Sequence, residues 1–131
     1  MPSQGRVFLD VQGFAEEVLK VDPKIRYVGI VDAKLNVVVS RMRGDLQSLT
    51  SDRSDRYYLQ IAPNILIDVA EKLSPALGRV ESVTIRYEKL FMVYFRLEGF
   101  TIVLSFEPTV QRPFMSALTE QMQQLSSRYL R

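Results

Sequence analysis

The chain has 131 residues, of which 47% are hydrophobic and 24% are charged, and its formal net charge is +2. This length and composition suit one folded domain and exclude a disordered chain. The sequence contains no cysteine and no histidine, which excludes a disulfide framework, a thiolate metal site and the commonest general base near neutral pH. No apolar run reaches the ~18 residues of a membrane-spanning helix. Acidic residues interrupt the N-terminal apolar stretch, which argues against a secretory signal. We therefore expect a single cytoplasmic domain over residues 1–131.

The N-terminal third predicts a helix followed by a β-hairpin. Over residues 6–21 apolar side chains recur at steps of three and four. Asp22-Pro23 ends this pattern, because the residue before proline disfavours the α-helical conformation. The stretch "IRYVGIVDAKLNVVVSRM" then holds two β-branched runs, which predict strands joined by a polar turn. The polar residues 43–56 are expected to form a mobile loop.

The segment "YYLQIAPNILIDVAEKLSPALG" predicts a helix over residues 57–77 that ends at Gly78. Its apolar side chains cover an arc of roughly 180°, wider than the ~100° needed to face a single core. The arc comprises Tyr58, Ile61, Ala62, Ile65, Leu66, Val69, Ala70, Leu73, Ala76 and Leu77. The polar stripe comprises Gln60, Asn64, Asp68 and Glu71. Ile67 lies outside the arc. We expect the helix to cover its own sheet, to leave apolar surface over for a partner, and to kink or break at Pro63.

The C-terminal half predicts three strands and a last helix. "RVESVTIRYE" alternates between apolar and polar residues, whereas "LFMVYFRL" and "FTIVLSF" are apolar on both faces, as in central strands. The short connections Glu88-Lys89 and Glu98-Gly99 predict an antiparallel meander. The last helix has Pro113 in its first turn. Its apolar positions step by three or four, at Phe114, Leu118, Met122, Leu125 and Tyr129.

The element order is helix, two strands, helix, three strands and helix, which predicts an α/β sandwich with a five-stranded antiparallel sheet flanked by helices. The hairpin "IRYVGIVDAKLNVVVSRM" and the meander "LGRVESVTIRYEKLFMVYFRLEGFTIVLSFEP" resemble the roadblock (dynein light-chain-like) family of the profilin-like and longin-like group. "IRYVGIVD" and "YEKLFMVYF" look most similar to archaeal versions of this fold. The resemblance covers nearly the whole chain, although the hairpin turn "DAKLN" lacks the glycine often found there.

This resemblance implies a dimer. Roadblock-like proteins form homodimers, or heterodimers with related subunits, in which the middle helices pair and the strand after each helix extends the sheet. These elements correspond to residues 57–77 and 79–87. The implied interface residues are Tyr58, Ala62, Ile65, Leu66, Val69, Leu73, Val80, Ser82, Thr84 and Arg86. Family members act as scaffolds or regulators of small Ras-like GTPases, so the resemblance implies a cytoplasmic regulator with such a GTPase as a partner.

Motifs that carry catalytic chemistry are missing from the sequence. It has no G-x-x-x-x-G-K-[ST] phosphate loop, no G-x-S-x-G nucleophile elbow, no kinase signature and no G-x-G-x-x-G. Near pairs of acids occur at Glu16/Glu17, on the polar face of a helix, and at Asp52/Asp55, in a stretch suited to helix capping. We therefore expect no enzyme activity, no cofactor and no metal site.

Two other functions are compatible with the sequence. The first is a small-molecule sensor with a pocket under the sheet, because such a sheet can carry a pocket lined by aromatic rings. The candidate rings are Tyr87, Phe91, Tyr94, Phe95, Phe100 and Phe106. Large aromatic side chains more often fill a core, and we prefer that interpretation. The second is nucleic-acid binding through Arg41, Arg43, Arg53 and Arg56, which the scattered charge makes less favoured.

Overall fold

One antiparallel sheet organises the chain. The computed structural model describes residues 9–44, 46, 61–109 and 112–131, with side chains in the last range from residue 116 onward. The helices are α1 (Val11–Val21), α2 (Ala62–Ala70), α3 (Ser74–Leu77) and α4 (Arg112–Tyr129), and the 3-10 turn Glu71–Leu73 joins α2 to α3. The strands are β1 (Ile25–Val31), β2 (Val37–Met42), β3 (Val83–Arg86), β4 (Phe91–Leu97) and β5 (Phe100–Phe106). The predicted fold class, five antiparallel strands flanked by helices, is confirmed.

The strand order is β2-β1-β5-β4-β3, because strand β1 of the hairpin pairs with strand β5 of the meander. Strand β1 pairs with β2 on one side and with β5 on the other, and its residues Ile25 and Val28–Val31 are buried. The two ends of the order are β2 and β3. The chain between these strands must therefore pass from one edge of the sheet to the other, and α2 lies on this path.

The main core lies between the sheet and the helices α1 and α4. Alternate residues of the strands point to this side, and the rings of Phe91 and Phe106 stack there with centroids 5.2 Å apart. From α4, Leu118 and Met122 are fully buried, as the spacing predicted. The main core comprises Phe14, Ala15, Val18, Ile25, Val28, Ile30, Val39, Phe91, Val93, Phe95, Ile102, Leu104, Phe106, Leu118, Met122 and Leu130.

The first helix begins later than its apolar pattern predicted. Residues 9 and 10 are not helical, and residues 1–8 lie outside the described part of the chain. Asp10 precedes α1, and its carboxylate accepts a hydrogen bond from the backbone N–H of Gly13 at 2.8 Å. Aspartate favours this position because it satisfies a donor that the first turn leaves without a helical partner. The helix ends at Val21, before Asp22-Pro23, as predicted.

The middle helix also differs from its prediction. Residues 57–60 lie outside the described range, and Pro63 stands in the first turn of α2, where proline fits without a kink. The break comes instead at the 3-10 turn Glu71–Leu73. Pro75 has no N–H to continue the helical ladder, which accounts for the change of helix type just before it. Gly78 ends α3 at φ +87°, as the sequence predicted.

Within the described residues, every helix is too short or too polar to cross a membrane.

Candidate interaction surface

Helix α2 lies on the sheet face opposite to α1 and α4, and it turns its polar side toward the sheet. Asp68 accepts a hydrogen bond from the guanidinium of Arg96 in β4 at 2.6 Å. Asn64 Oδ1 accepts from the same guanidinium at 2.7 Å and from the hydroxyl of Thr101 in β5 at 3.0 Å. One turn later, the Glu71 carboxylate accepts from the backbone N–H of Val80 at 3.0 Å. Three members of the predicted polar stripe therefore bind the helix to its own domain.

The apolar contact between α2 and the sheet is small. Ile67 is 1% exposed and packs with Val31, Tyr94 and Val103 in a second cluster on this face of the sheet. Pro63 is the other buried residue of α2. The helix lies on its own sheet and leaves apolar surface over, as expected, but it is buried there through Ile67 and Pro63, which lie outside the apolar arc.

The arc faces outward. Ile65 is 55% exposed, Val69 60%, Leu73 62% and Leu77 77%. We call this surface the outer face; it comprises Ile61, Ile65, Leu66, Val69, Leu73 and Leu77, all of them exposed. A helix of a monomeric protein normally places its apolar stripe on the core and its polar residues in water. Helix α2 does the reverse and, together with the residues on either side of it, leaves six large aliphatic side chains exposed.

Strand β3 supplies an edge beside this helix. Its side chains Val83 and Ile85 pack on the same sheet face as α2, whereas Thr84 and Arg86 are exposed. The backbone N–H of Tyr87 donates to Leu90 O at 2.8 Å, which fixes the hydrogen-bonding alternation along β3 and β4. By this alternation the odd-numbered residues of β3 bond to β4. The backbone groups of Thr84 and Arg86 therefore point away from β4, toward the edge of the sheet that no described strand covers.

The predicted interface residues fall into three groups. The first group lies on the helix. Ala62 is half-buried, whereas Ile65, Leu66, Val69 and Leu73 belong to the outer face. Those around β3 follow the edge, with Val80 and Ser82 half-buried and Thr84 and Arg86 exposed. Tyr58 lies outside the described residues. The Arg86 side chain is already engaged, since it donates to Pro108 O at 3.0 Å and lies over the Phe91 ring at 5.1 Å.

The aromatic rings named for a sensor pocket mostly fill the interior. Phe91, Phe95 and Phe106 belong to the main core, and Tyr94 is buried on the α2 face, where burial raises its pKa to about 12. A cavity of about 460 Å³ does occur, but its lining is largely polar: Arg79, Val80, Glu81, Arg96, Leu97, Glu98, Gln123, Ser126 and Ser127. None of the six aromatic residues lines this cavity, so the observation that motivated a sensor is explained by core packing.

Two of the four arginines named for nucleic-acid binding, Arg41 and Arg43, lie in the described residues, and both contact other parts of the chain. The Arg43 guanidinium donates to the carbonyl oxygens of Leu19, of Asp22 at 2.9 Å and of Ile25 at 2.6 Å, so it joins the end of α1 to the start of β1. Arg41 lies 3.7 Å from the carboxylate of Glu16. Arg53 and Arg56 lie outside the described residues.

The acidic residues of the described ranges do not gather into a metal-binding group of three or more. Glu16 and Glu17 are each paired with a cation, Arg41 at 3.7 Å and Lys20 at 3.5 Å. Asp52 and Asp55 lie outside the described part. The described surface thus offers apolar contact and a strand edge, both of which suit binding of another protein.

Comparison with known proteins finds relatives in structure alone. Protein-family models and curated protein sequences give no match. The chain is similar to a roadblock/LC7 domain from Streptomyces avermitilis, with a TM-score of 0.67 and 9% identity over 92% of this chain and 98% of that one.

Two further structures give the same result. MglB from Myxococcus xanthus has a TM-score of 0.65 and 12% identity over 88% of this chain and 89% of its own. The gliding protein MglB from Thermus thermophilus has a TM-score of 0.57 and 18% identity over 88% and 87%. They lend no support to the expected archaeal type. The fold shared with them is the roadblock and profilin-like fold that the sequence resemblance implied.

Proposed function

We propose that this chain is a non-enzymatic scaffold that works as a dimer, pairing through the outer face of α2 and α3 and through the free edge of β3. Its partner is a second copy of the chain, with a related roadblock-like subunit as the alternative. The dimer serves as a regulator of a small Ras-like GTPase in the cytoplasm. The observation that carries the proposal is the inverted orientation of α2.

The outer face leaves large aliphatic side chains in contact with water. Burying a large aliphatic side chain fully contributes about 1.5–3 kcal/mol, and four side chains of this face are more than half exposed. The polar side chains Asn64, Asp68 and Glu71 already accept hydrogen bonds from other parts of the chain. Their donors are Arg96, Thr101 and Val80. A second apolar surface laid over the outer face would recover most of this burial without breaking those bonds.

The geometry favours an assembly with two-fold symmetry. In such a dimer the same patch serves both subunits, so a self-complementary aliphatic surface suits it. Strand β3 follows α3 directly, and its Thr84 and Arg86 backbone groups face outward next to this surface. An unprotected strand edge is a site for pairing with another strand. Pairing of two β3 strands would continue the sheet while the helices of the two copies cover each other.

The oligomeric state is the first test. Light scattering coupled to size exclusion at micromolar concentration is expected to give about twice the chain mass of 15.1 kDa. A mass of 15.1 kDa across the elution peak would contradict pairing of two copies. Adding a purified related subunit to such a monomer then tests the heterodimer.

The GTPase needs an independent test, because it rests on the resemblance of the sequence and on the shared fold. The immobilised chain is exposed to cell extract loaded with either a GTP analogue or GDP, and retained proteins are compared. A small GTPase retained in one nucleotide state is the expected result. Equal retention in both states, or loss of all small GTPases, would contradict this part of the proposal and leave the dimer unaffected.

The sensor alternative is not proposed, since four of its six aromatic residues are buried and none of the six lines the described cavity.

A further inference from the structure

Arg96 holds two successive turns of α2 at once. Its acceptors, Asn64 and Asp68, are four residues apart and so lie on one side of the helix. The same Asn64 oxygen accepts a hydrogen bond from the hydroxyl of Thr101, a buried residue of β5. We call Arg96, Asn64, Asp68 and Thr101 the polar clamp. Together with the buried residues Pro63 and Ile67, these hydrogen bonds limit the rotation of α2 about its own axis.

A competing orientation exists in principle. The sheet face beneath α2 is apolar at Val31, Tyr94 and Val103. Turning α2 by about 180° about its axis would place Ile65 and Val69 on that surface. Hydrophobic burial alone favours the turned helix in an isolated chain, because its outer face is more apolar than its inner one.

The clamp opposes this rotation. In the turned helix the Arg96 guanidinium would lose both of its acceptors and lie against aliphatic side chains. The side chains of Arg96 and Asp68 are 33% and 65% exposed, so this ion pair lies on the solvent-facing side of the contact and contributes little by itself. The turned helix would cover the guanidinium without giving it an acceptor, which is unfavourable. The clamp therefore favours the arrangement in which Asn64 and Asp68 lie beside Arg96 and the apolar side of α2 faces outward.

We infer that Arg96, acting with Asn64 and Asp68, is a positioning residue that selects the outward orientation of α2 and so controls whether the outer face is available to a second copy. This inference rests on the proposed dimer. It adds that the chain has two arrangements of α2, one competent for assembly and one closed on itself, and that the clamp sets the balance between them.

The first experiment compares Arg96→Met with the unmodified chain. Methionine keeps much of the length of the side chain and removes its charge, so the closed arrangement is no longer penalised. The dimer dissociation constant is expected to rise at least about tenfold, because the apparent affinity falls with the fraction of competent chains. Arg128→Met, the same change at an exposed position of α4, is the control and is expected to leave the dissociation constant unchanged.

The second experiment reports on orientation directly. The chain has no cysteine, so Val69→Cys gives a single thiol at the centre of the outer face. At concentrations below the dissociation constant, this thiol is expected to react freely when Arg96 is present. It should react at least about tenfold more slowly in the Arg96→Met background, as expected for a side chain protected in a closed state.

These readouts separate positioning from simple loss of structure. If Arg96 only supports the helix, its removal frees α2, the thiol reacts faster, and the helical circular dichroism falls. That result, or an unchanged dissociation constant for Arg96→Met, overturns the inference while the dimer stands. If the unmodified chain is a monomer, the dimer proposal fails, and the thiol comparison still decides whether Arg96 sets the orientation.

A rescue completes the design. Arg96→Asp should weaken the dimer, because it faces Asp68 with a like charge. Adding Asp68→Arg restores an opposite-charge pair at the same two positions and is expected to recover part of the dimer affinity. Failure of the double variant to improve on Arg96→Asp would count against the clamp.

Discussion

At the residue scale, the described hydrogen bonds show that single polar side chains fix the joints of this fold. Asp10 begins α1, Arg43 joins the end of α1 to β1, and Asp32 organises the first hairpin turn. Each of these groups satisfies backbone donors or acceptors that helix ends and turns leave open. Sequence patterns had suggested a binding role for Arg43. Its three carbonyl acceptors explain why an arginine, with its several donors in a fixed plane, stands there.

The structural role of Arg43 can be tested by Arg43→Met. The variant leaves carbonyl oxygens of Leu19, Asp22 and Ile25 without this donor, and hydrogen bonds to a charged group contribute about 1.5–3 kcal/mol. We expect the free energy of unfolding in urea to fall by about 2 kcal/mol. The matched control is Arg41→Met, whose exposed pair with Glu16 is expected to contribute under about 1 kcal/mol. Equal effects of the two changes would contradict the role assigned to Arg43.

The hairpin turn gives a prediction in pH. The Asp32 carboxylate accepts from the backbone N–H groups of Asn36 and Lys34, both at 2.9 Å, and the Asn36 bond is the main reason its pKa lies below 3.8. Because the folded pKa is lowered, this contribution to stability is complete above pH 3.8 and is lost as pH falls through the folded pKa.

Urea midpoints of the unmodified chain and of Asp32→Asn are therefore compared at several pH values. The advantage of the unmodified chain is expected to be constant near neutral pH and to shrink below pH 3.8. An advantage that stays the same down to pH 2, well below the ordinary range of an aspartate, would show that the carboxylate charge is not involved.

The turn also holds Leu35 at φ +68°, in the left-handed region where a glycine is usual.

At the scale of elements, α2 is the helix whose packing departs from its sequence pattern. The breadth of its apolar arc was predicted, whereas the side that meets the sheet was not. An arc of roughly 180° leaves the rotation of a helix undetermined, since almost any rotation places some apolar residues on the sheet. In the structure Ile67 is buried against the sheet, Asn64 and Asp68 bond to Arg96 at one side of it, and Val69 is near the centre of the outward side.

Val69→Asp tests this assignment. Because Val69 is 60% exposed within one chain, the monomer should keep its fold and lose no more than about 0.5 kcal/mol. The dimer should separate, since each subunit would bring an unpaired carboxylate into a dry contact. Light scattering and thermal unfolding are measured together, with Gln124→Asp on the exposed side of α4 as the control. A Val69→Asp protein with an unchanged dimer mass would show that this face is not the contact.

At the scale of the whole molecule, the sheet has two ends with different uses. Strand β2 lies at one end and β3 at the other, and α2 crosses between them on the face away from the main core. Val83 and Ile85 of β3 pack against the same apolar cluster as Ile67 of α2, so β3 and α2 share one face of the sheet. The described molecule therefore concentrates its apolar exposure and an open strand edge in one region, as a protein built to pair would do.

Pairing of the β3 edges can be tested with Thr84→Pro. The backbone N–H of Thr84 faces away from β4, so proline removes an outward donor and leaves the ladder within the chain in place. The dimer dissociation constant is expected to rise at least about tenfold, while Thr84→Ala leaves it nearly unchanged. If Thr84→Pro unfolds the monomer, hydrogen exchange at Thr84 in the unmodified chain gives the same information. Exchange that does not slow on assembly would contradict pairing of the edges.

The sequence by itself determined the order of elements, the two-sided burial of β4 and β5, the short meander turns and the end of α3 at Gly78. These features depend on local periodicity and on residues whose backbone preferences act within a few positions. Only the tertiary structure decided which side of α2 faces the sheet. Arg96 and Thr101 donate hydrogen bonds to this helix from positions 28 to 37 residues away along the chain. Contacts across such separations leave no periodic signal. The sequence thus predicted a helix with surplus apolar surface, and only the tertiary structure showed that this surface faces outward.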